Sequence, residues 1–136
     1  MSAPVIVTDT GFAGESFNGA FVPFAEDAAA EAILLAPDTD PEALGAIAAS
    51  ATAVAIEFPS FSDGRGFTLA RLLRLAGFRG RLRARGHVIA DQYAMARRSG
   101  FDEVEISSEL AARQPEDQWL RRADWQAHDY QSRLRG

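Results

Sequence analysis

Cysteine is absent from the 136 residues, and so is lysine. The first absence excludes disulfides, thiolate chemistry, Cys-ligated zinc and Cys-ligated iron–sulfur clusters. The second excludes a P-loop lysine. Only two histidines occur, His87 and His128, too far apart to set a metal-ligand spacing, so no metal site is expected. No apolar run approaches the roughly 18 residues of a membrane span. Met1-Ser2-Ala3-Pro4 lacks the basic start of a signal peptide. These absences fit a cytoplasmic protein without contact with a membrane. The apolar fraction of 47% and charged fraction of 24% suit a folded chain of single-domain size rather than a disordered one.

One sign of charge is missing from the first half. All 14 basic residues are arginines and none precedes Arg65. Residues 1–64 carry ten acids, residues 65–98 carry nine arginines and one acid, and residues 99–136 carry five arginines and eight acids. The net charge of −5 therefore hides a basic middle between acidic flanks. Two readings follow. Either the acidic part faces the basic part inside one fold, or the basic stretch takes an anion or an acidic partner. The overall acidity argues against a nucleic-acid duplex as partner.

The apolar pattern divides the chain into an ill-defined N-terminal segment (1–31), a regular core (32–106) and a C-terminal helical segment (107–136). In the first, 4-PVIVTD-9 reads as a short strand. Gly11, Gly14 and Gly19 read as a loose connection, and 20-AFVPF-24 as an edge piece because of Pro23. In the core, 32-AILLAP-37, 53-AVAIEF-58, 81-RLRAR-85 and 101-FDEVEI-106 read as strands. Between them the pattern predicts helices over 41–51, 67–76 and 88–99. Asp40 caps the first and Pro41 opens it. The second carries an apolar stripe of Phe67, Leu69, Ala70, Leu72, Leu73 and Ala76. Tyr93, Met95 and Ala96 belong to the apolar face of the third, and Gly100 ends it. Residues 108–133 read as helical with a break near Pro115; Trp119, Trp125 and Tyr130 there are docking residues or a self-association face. The alternation predicts an α/β domain with a parallel sheet. An open doubly wound three-layer sheet and a (βα)4 half-barrel, whose edge needs covering, both satisfy it.

In both architectures ligands sit beyond the C-terminal ends of the strands. Glu57, Asp63, Gly64, Arg65, Gly66, Arg83, Arg85, His87, Asp91, Glu105, Ser107 and Ser108 fall there. In 62-SDGRG-66, free backbone N–H groups beside Arg65 suit a phosphate, sulfate or carboxylate. A tight turn with Asp63 capping the helix suits the same residues. The loop matches neither Gly-x-x-x-x-Gly-Lys nor Gly-x-Gly-x-x-Gly. Arg81, Arg83 and Arg85 share one side of their strand, which must be solvated, face acids or line a pocket. Asp63, Gly64, Arg65, Gly66, Arg83 and Arg85 are therefore the candidate anion-binding set. His87, Asp91 and Glu57 are the candidate acid–base groups. No cofactor can be named from these residues.

Two blocks, 58-FPSFSDGRGFTLARLL-73 and 80-GRLRARGHVIADQYAMARRSGFDEVEI-106, resemble the bacterial domain of unknown function 934 family. The resemblance runs over about residues 33–106, and its most specific parts are Phe-Pro-x-Phe-x-Asp-Gly-Arg-Gly and Arg83, Gly86, Asp91 and Gln92. Members carry a provisional oxidoreductase label and are encoded beside assimilatory sulfite reductase. The resemblance implies an accessory role in sulfite reduction for cysteine biosynthesis, by binding an anion or docking on sulfite reductase. A small enzyme of that pathway, or a structural homodimer, are the alternatives. The chain departs from the family before residue 33, where only 25-AEDAAAEA-32 stands in place of a longer helical stretch.

Overall fold

A computed structural model describes residues 3–15, 17 and 20–126. Its centre is a seven-stranded sheet in the order β2-β1-β7-β6-β5-β4-β3. The strands are β1 (Val5–Thr8), β2 (Gly11–Ala13), β3 (Val22–Pro23), β4 (Ala32–Leu35), β5 (Ala53–Phe58), β6 (Arg81–Gly86) and β7 (Glu103–Ile106). β3 to β7 run parallel in chain order, whereas β1 joins β7 antiparallel and β2 closes a hairpin with β1. The loose connection expected at Gly11 is thus a strand. The Glu116 carboxylate accepts the N–H of Phe12 at 2.8 Å, satisfying a donor on this edge.

Helices α1 (Leu44–Ser50), α2 (Arg65–Leu75) and α3 (Tyr93–Ser99) connect successive strands, and α1–α2 and α2–α3 pack side by side. Strands laid down in order, with crossovers of one hand, place their helices on one face. The half-barrel-like arrangement is therefore the one adopted, and the β1–β2 hairpin covers the edge it would leave open. Side chains alternate accordingly. Val54, Ile56, Phe58, Leu82, Ala84, Val104 and Ile106 lie in the apolar core with Leu44, Ile47, Leu69, Leu73, Tyr93 and Ala96.

Local differences have local causes. Asp40 caps as expected, accepting the N–H of Glu42 at 3.0 Å, but Pro41–Ala43 is a tight 3-10 turn ahead of α1. Ile89 is extended, so helical structure begins with a 3-10 turn at Ala90–Gln92 rather than at residue 88. Ala76 and Met95 were expected to face the core, and both are exposed. The C-terminal segment holds two short helices, α4 (Ser108–Arg113) and α5 (Glu116–Leu120), separated at Pro115. Residues 121–126, expected to continue that helix, form turns after α5, and the remainder up to residue 133, with His128 and Tyr130, lies outside the described residues, as does Gly19. Trp119 is buried against Tyr93 with ring centroids 6.1 Å apart, so it docks α5 on the body of the domain.

Candidate functional site

Among the described residues, the second sheet face carries no helix. Arg81, Arg83 and Arg85 on β6 lie there, with Glu103 and Glu105 on β7. The register sets Arg83 opposite Glu103 and Arg85 opposite Glu105. Opposite charges on neighbouring strands then meet as a ladder. Arg83 Nε donates to Glu103 at 2.6 Å and its Nη1 to Glu105 at 2.7 Å. Arg81 stands 3.9 Å from Glu103, and Arg85 Nε stands 3.2 Å from Glu105. The outer fork of Arg83 is taken by Glu15, 68 residues away in the chain, at 2.7 and 2.6 Å. Phe21 stacks over the same guanidinium at 5.1 Å.

Arg83 is 1% exposed. Burial opposes its charge, but bonds to Glu15, Glu103 and Glu105 outweigh that and hold it protonated more firmly than a free arginine. The anion expected at Arg83 thus has no free donor to meet: three carboxylates of the chain itself stand there. A strand with both sides covered carries an arginine here because its charge is fully paired.

The loop before α2 behaves similarly. Asp63 accepts the backbone N–H of Arg65 at 3.1 Å and binds its guanidinium at 3.0 and 2.7 Å. These bonds hold the Asp63 carboxyl below the ordinary range and Arg65 above its own. The helix N-terminus thus already carries a carboxylate. Gly66 faces the ring of Phe58, where a Cβ would come within 2.5 Å, while a Cβ at Gly64 would make an ordinary contact with the Phe67 ring at 3.8 Å. Gly86 has φ +119°, and a Cβ there would reach the Phe58 carbonyl at 2.6 Å. The His87 N–H donates to that carbonyl at 2.9 Å. Gly66, Gly86 and His87 therefore all converge on Phe58, whose ring packs with Phe67 and Phe101.

The acid–base candidates are only partly assembled. The exposed His87 ring lies edge-on to Phe61, with Nδ1 3.3 Å from the Phe58 carbonyl. Asp91 pairs with Arg122 at 2.7 Å, and among the described residues no bond joins it to His87. Glu57 sits opposite Arg85 in the register and lines the cleft that holds Phe58, Pro59, Arg85 and His87.

Arg85 is the candidate that remains available. It also lines an open cleft of about 600 Å³, with Pro4, Gly86, Glu105, Ile106, Ser107, Ser108 and Glu109. Its side chain is 41% exposed, Nε faces Glu105, and its terminal amines meet no acceptor among the described residues. Glu105 is shared with Arg83, so its charge is already engaged. Ser107 Oγ accepts the N–H of Leu110 at 3.1 Å, which leaves its hydroxyl proton for the cleft. Among the described residues no cluster of three His, Cys, Asp or Glu could hold a metal ion. No helix there is long and apolar enough to cross a membrane.

The family described as bacterial protein of unknown function (DUF934) matches residues 32–136. The chain belongs to this family. The match takes in the whole βα core and begins at β4, so β1, β2 and β3 precede the DUF934 region. No curated protein and no solved structure matches the chain. In this DUF934 chain several of the residues that carried the resemblance hold the fold together. Gln92, for example, joins two loops, donating to the Phe61 carbonyl and accepting from Ile89, both at 3.0 Å.

Sequence reasoning did not single out Glu15, Phe17, Phe21, Asp9 or Glu103. A signal for Glu103 existed: acids at 103 and 105 repeat the two-residue spacing of the arginines at 81, 83 and 85. Asp9 holds a second cluster, accepting from Tyr93 at 2.5 Å, from Arg97 at 3.1 Å and from Trp125 at 3.3 Å. Nothing local in the sequence marks either Glu15 or Asp9.

Proposed function

We propose that the protein is a non-catalytic accessory protein of sulfite assimilation that holds a small oxyanion at Arg85. The half-exposed guanidinium at the junction of two clefts, with its terminal amines unpaired among the described residues, carries this reading. A guanidinium fork matches two oxygens of sulfite, sulfate or a sulfated nucleotide by charge-assisted bonds. The Ser107 and Ser108 hydroxyls line the same cleft and add neutral donors. Glu105 and Glu109, also in the cleft, repel an anion from its interior and confine it to the mouth beside Arg85. The pathway itself comes from the family resemblance, and sulfite reductase is the protein that would receive or supply the anion.

The test is thermal unfolding with sulfite, sulfate and adenosine phosphosulfate in turn. A ligand that binds only the folded state raises Tm. One of these anions should raise it, Arg85→Ala should abolish the rise, and Arg65→Ala should leave it intact. No rise with any anion, or a rise unaffected by Arg85→Ala, sinks the assignment. His87 and Glu57 share a cleft with Arg85, which favours a small enzyme as the second reading. Turnover of sulfite or a sulfated nucleotide that disappears in His87→Ala would replace the accessory role with that one.

A further inference from the structure

The larger cleft beside Arg85 is not purely basic. It lies where β6 and β7 end, and two charges of opposite sign line it with bonding capacity to spare. Arg85 presents its terminal amines, with only Nε turned to Glu105. Glu109, exposed on α4, forms no hydrogen bond or ion pair among the described residues. The Ser107 and Ser108 hydroxyls line the same cleft, and Pro4 adds an apolar wall. At about 600 Å³ the cleft is far larger than a sulfite or sulfate ion.

The charges around Arg85 decide what can occupy that space. Glu105 stands 3.2 Å from its Nε and is shared with Arg83. Glu57 stands opposite Arg85 in the β5–β6 register and lines the smaller cleft with His87. Arg83 is committed to Glu15, Glu103 and Glu105, and Arg81 lies farther back on the strand beside Glu103. Among the described residues, an oxyanion on Arg85 therefore sits near three carboxylates, Glu57, Glu105 and Glu109. All three repel a ligand that is only negative. A positive group on the same ligand turns Glu109 from a repulsive neighbour into a partner.

We propose that the ligand of the Arg85 cleft is a short zwitterion, an aminosulfonate or amino acid, whose oxyanion meets the Arg85 fork and whose ammonium meets Glu109. This ligand class rests on Arg85 being the oxyanion site; Glu109 adds the selection. An ammonium carries three donors, so the Ser107 and Ser108 oxygens can share it with the carboxylate. The carbon stem between the two charges lies against Pro4. Recognition runs through these side chains, and a bare oxyanion engages only the arginine end of the cleft.

NMR titration of the isotope-labelled full chain at low ionic strength compares ligands that differ in one group. Taurine and β-alanine carry the ammonium, ethanesulfonate and propanoate lack it, and isethionate and hydroxypropanoate carry a hydroxyl in its place. Amide shifts at Gly86, Ser107 and Ser108 report the cleft. Taurine or β-alanine should bind about threefold tighter or more than its ammonium-free counterpart, a modest factor because pairs with an exposed carboxylate are weak and screened. Whichever of the two gains distinguishes a sulfonate from a carboxylate ligand. Glu109→Gln should erase the gain and keep the oxyanion site; its spectrum shows whether it is folded, and if it is not, Glu109→Ala takes its place. Equal affinity with and without the ammonium, or hydroxyl-bearing ligands that match both ammonium-bearing ones, overturns the zwitterion while the oxyanion at Arg85 stands. So does a gain that survives Glu109→Gln, or one lost in Glu57→Gln instead. Absence of binding by every ligand, or binding indifferent to Arg85→Ala, overturns the zwitterion and the oxyanion site together.

Discussion

Glu15 and Arg83 form a two-pronged pair, with Nη1–Oε1 at 2.7 Å and Nη2–Oε2 at 2.6 Å, that ties the N-terminal segment to the middle of the parallel sheet. The guanidinium is almost wholly buried, whereas the carboxylate is 43% exposed. The two ends of the pair therefore differ in what their removal costs.

Arg83→Met leaves Glu15, Glu103 and Glu105 converging without the buried cation they share, and should destabilise the fold by about 3–5 kcal/mol. Glu15→Gln removes only the solvent-facing carboxylate, and should cost about 1 kcal/mol. Urea unfolding of the two variants measures both. Equal losses would mean that the ladder does not depend on its buried member.

The glycines around Phe58 should separate packing from ligand binding. Gly66→Ala pushes a methyl into the Phe58 ring and should cost about 1–3 kcal/mol. Gly86→Ala adds a positive φ to a clash with a carbonyl, and should cost at least as much. Gly64→Ala meets only an ordinary contact with the Phe67 ring and should stay within about 0.5 kcal/mol. Thermal unfolding in buffer without added anions is the check. A severe loss at Gly64 would mean that the loop needs its freedom for another reason.

Asp9 should give the fold a specific acid sensitivity. Desolvation pushes its carboxyl up, but bonds from Tyr93, Arg97 and Trp125 outweigh this and hold it below the ordinary range. A folded-state pKa below the unfolded one contributes stability above the unfolded value and loses it as pH falls through the folded one. The contribution is thus present at neutral pH and disappears below about pH 4. Asp9→Asn should be less stable than the parent at pH 7 by about 1 kcal/mol, because the site is partly exposed. The difference should vanish near pH 2–3. A constant difference across that range would show that the charge of Asp9 contributes nothing.

How far the sequence could be read depends on the range of the interactions involved. The four core strands and three helices were legible because period-two and period-3.6 patterns are local, as are caps such as Asp40 and stops such as Gly100. β2 was not, because three residues starting with glycine carry no period. Met95 was placed on the wrong side because helical structure begins later than the apolar run suggests. At the candidate site, the convergence of Arg85, Glu57 and His87 on one edge followed from strand ends alone. What each arginine does there did not follow.

By itself the sequence determined an α/β domain, the DUF934 blocks, the absence of thiol chemistry and a basic middle between acidic flanks. Tertiary structure decided which arginine of the two keeps its terminal amines exposed. Arg83 and Arg85 share a strand, a face and a spacing of two, so no local pattern distinguishes them. Glu15, from the N-terminal segment, neutralises the first and leaves the second at the rim. Such a contact between residues 68 positions apart depends on strand order, which helices and strands do not encode until they pack.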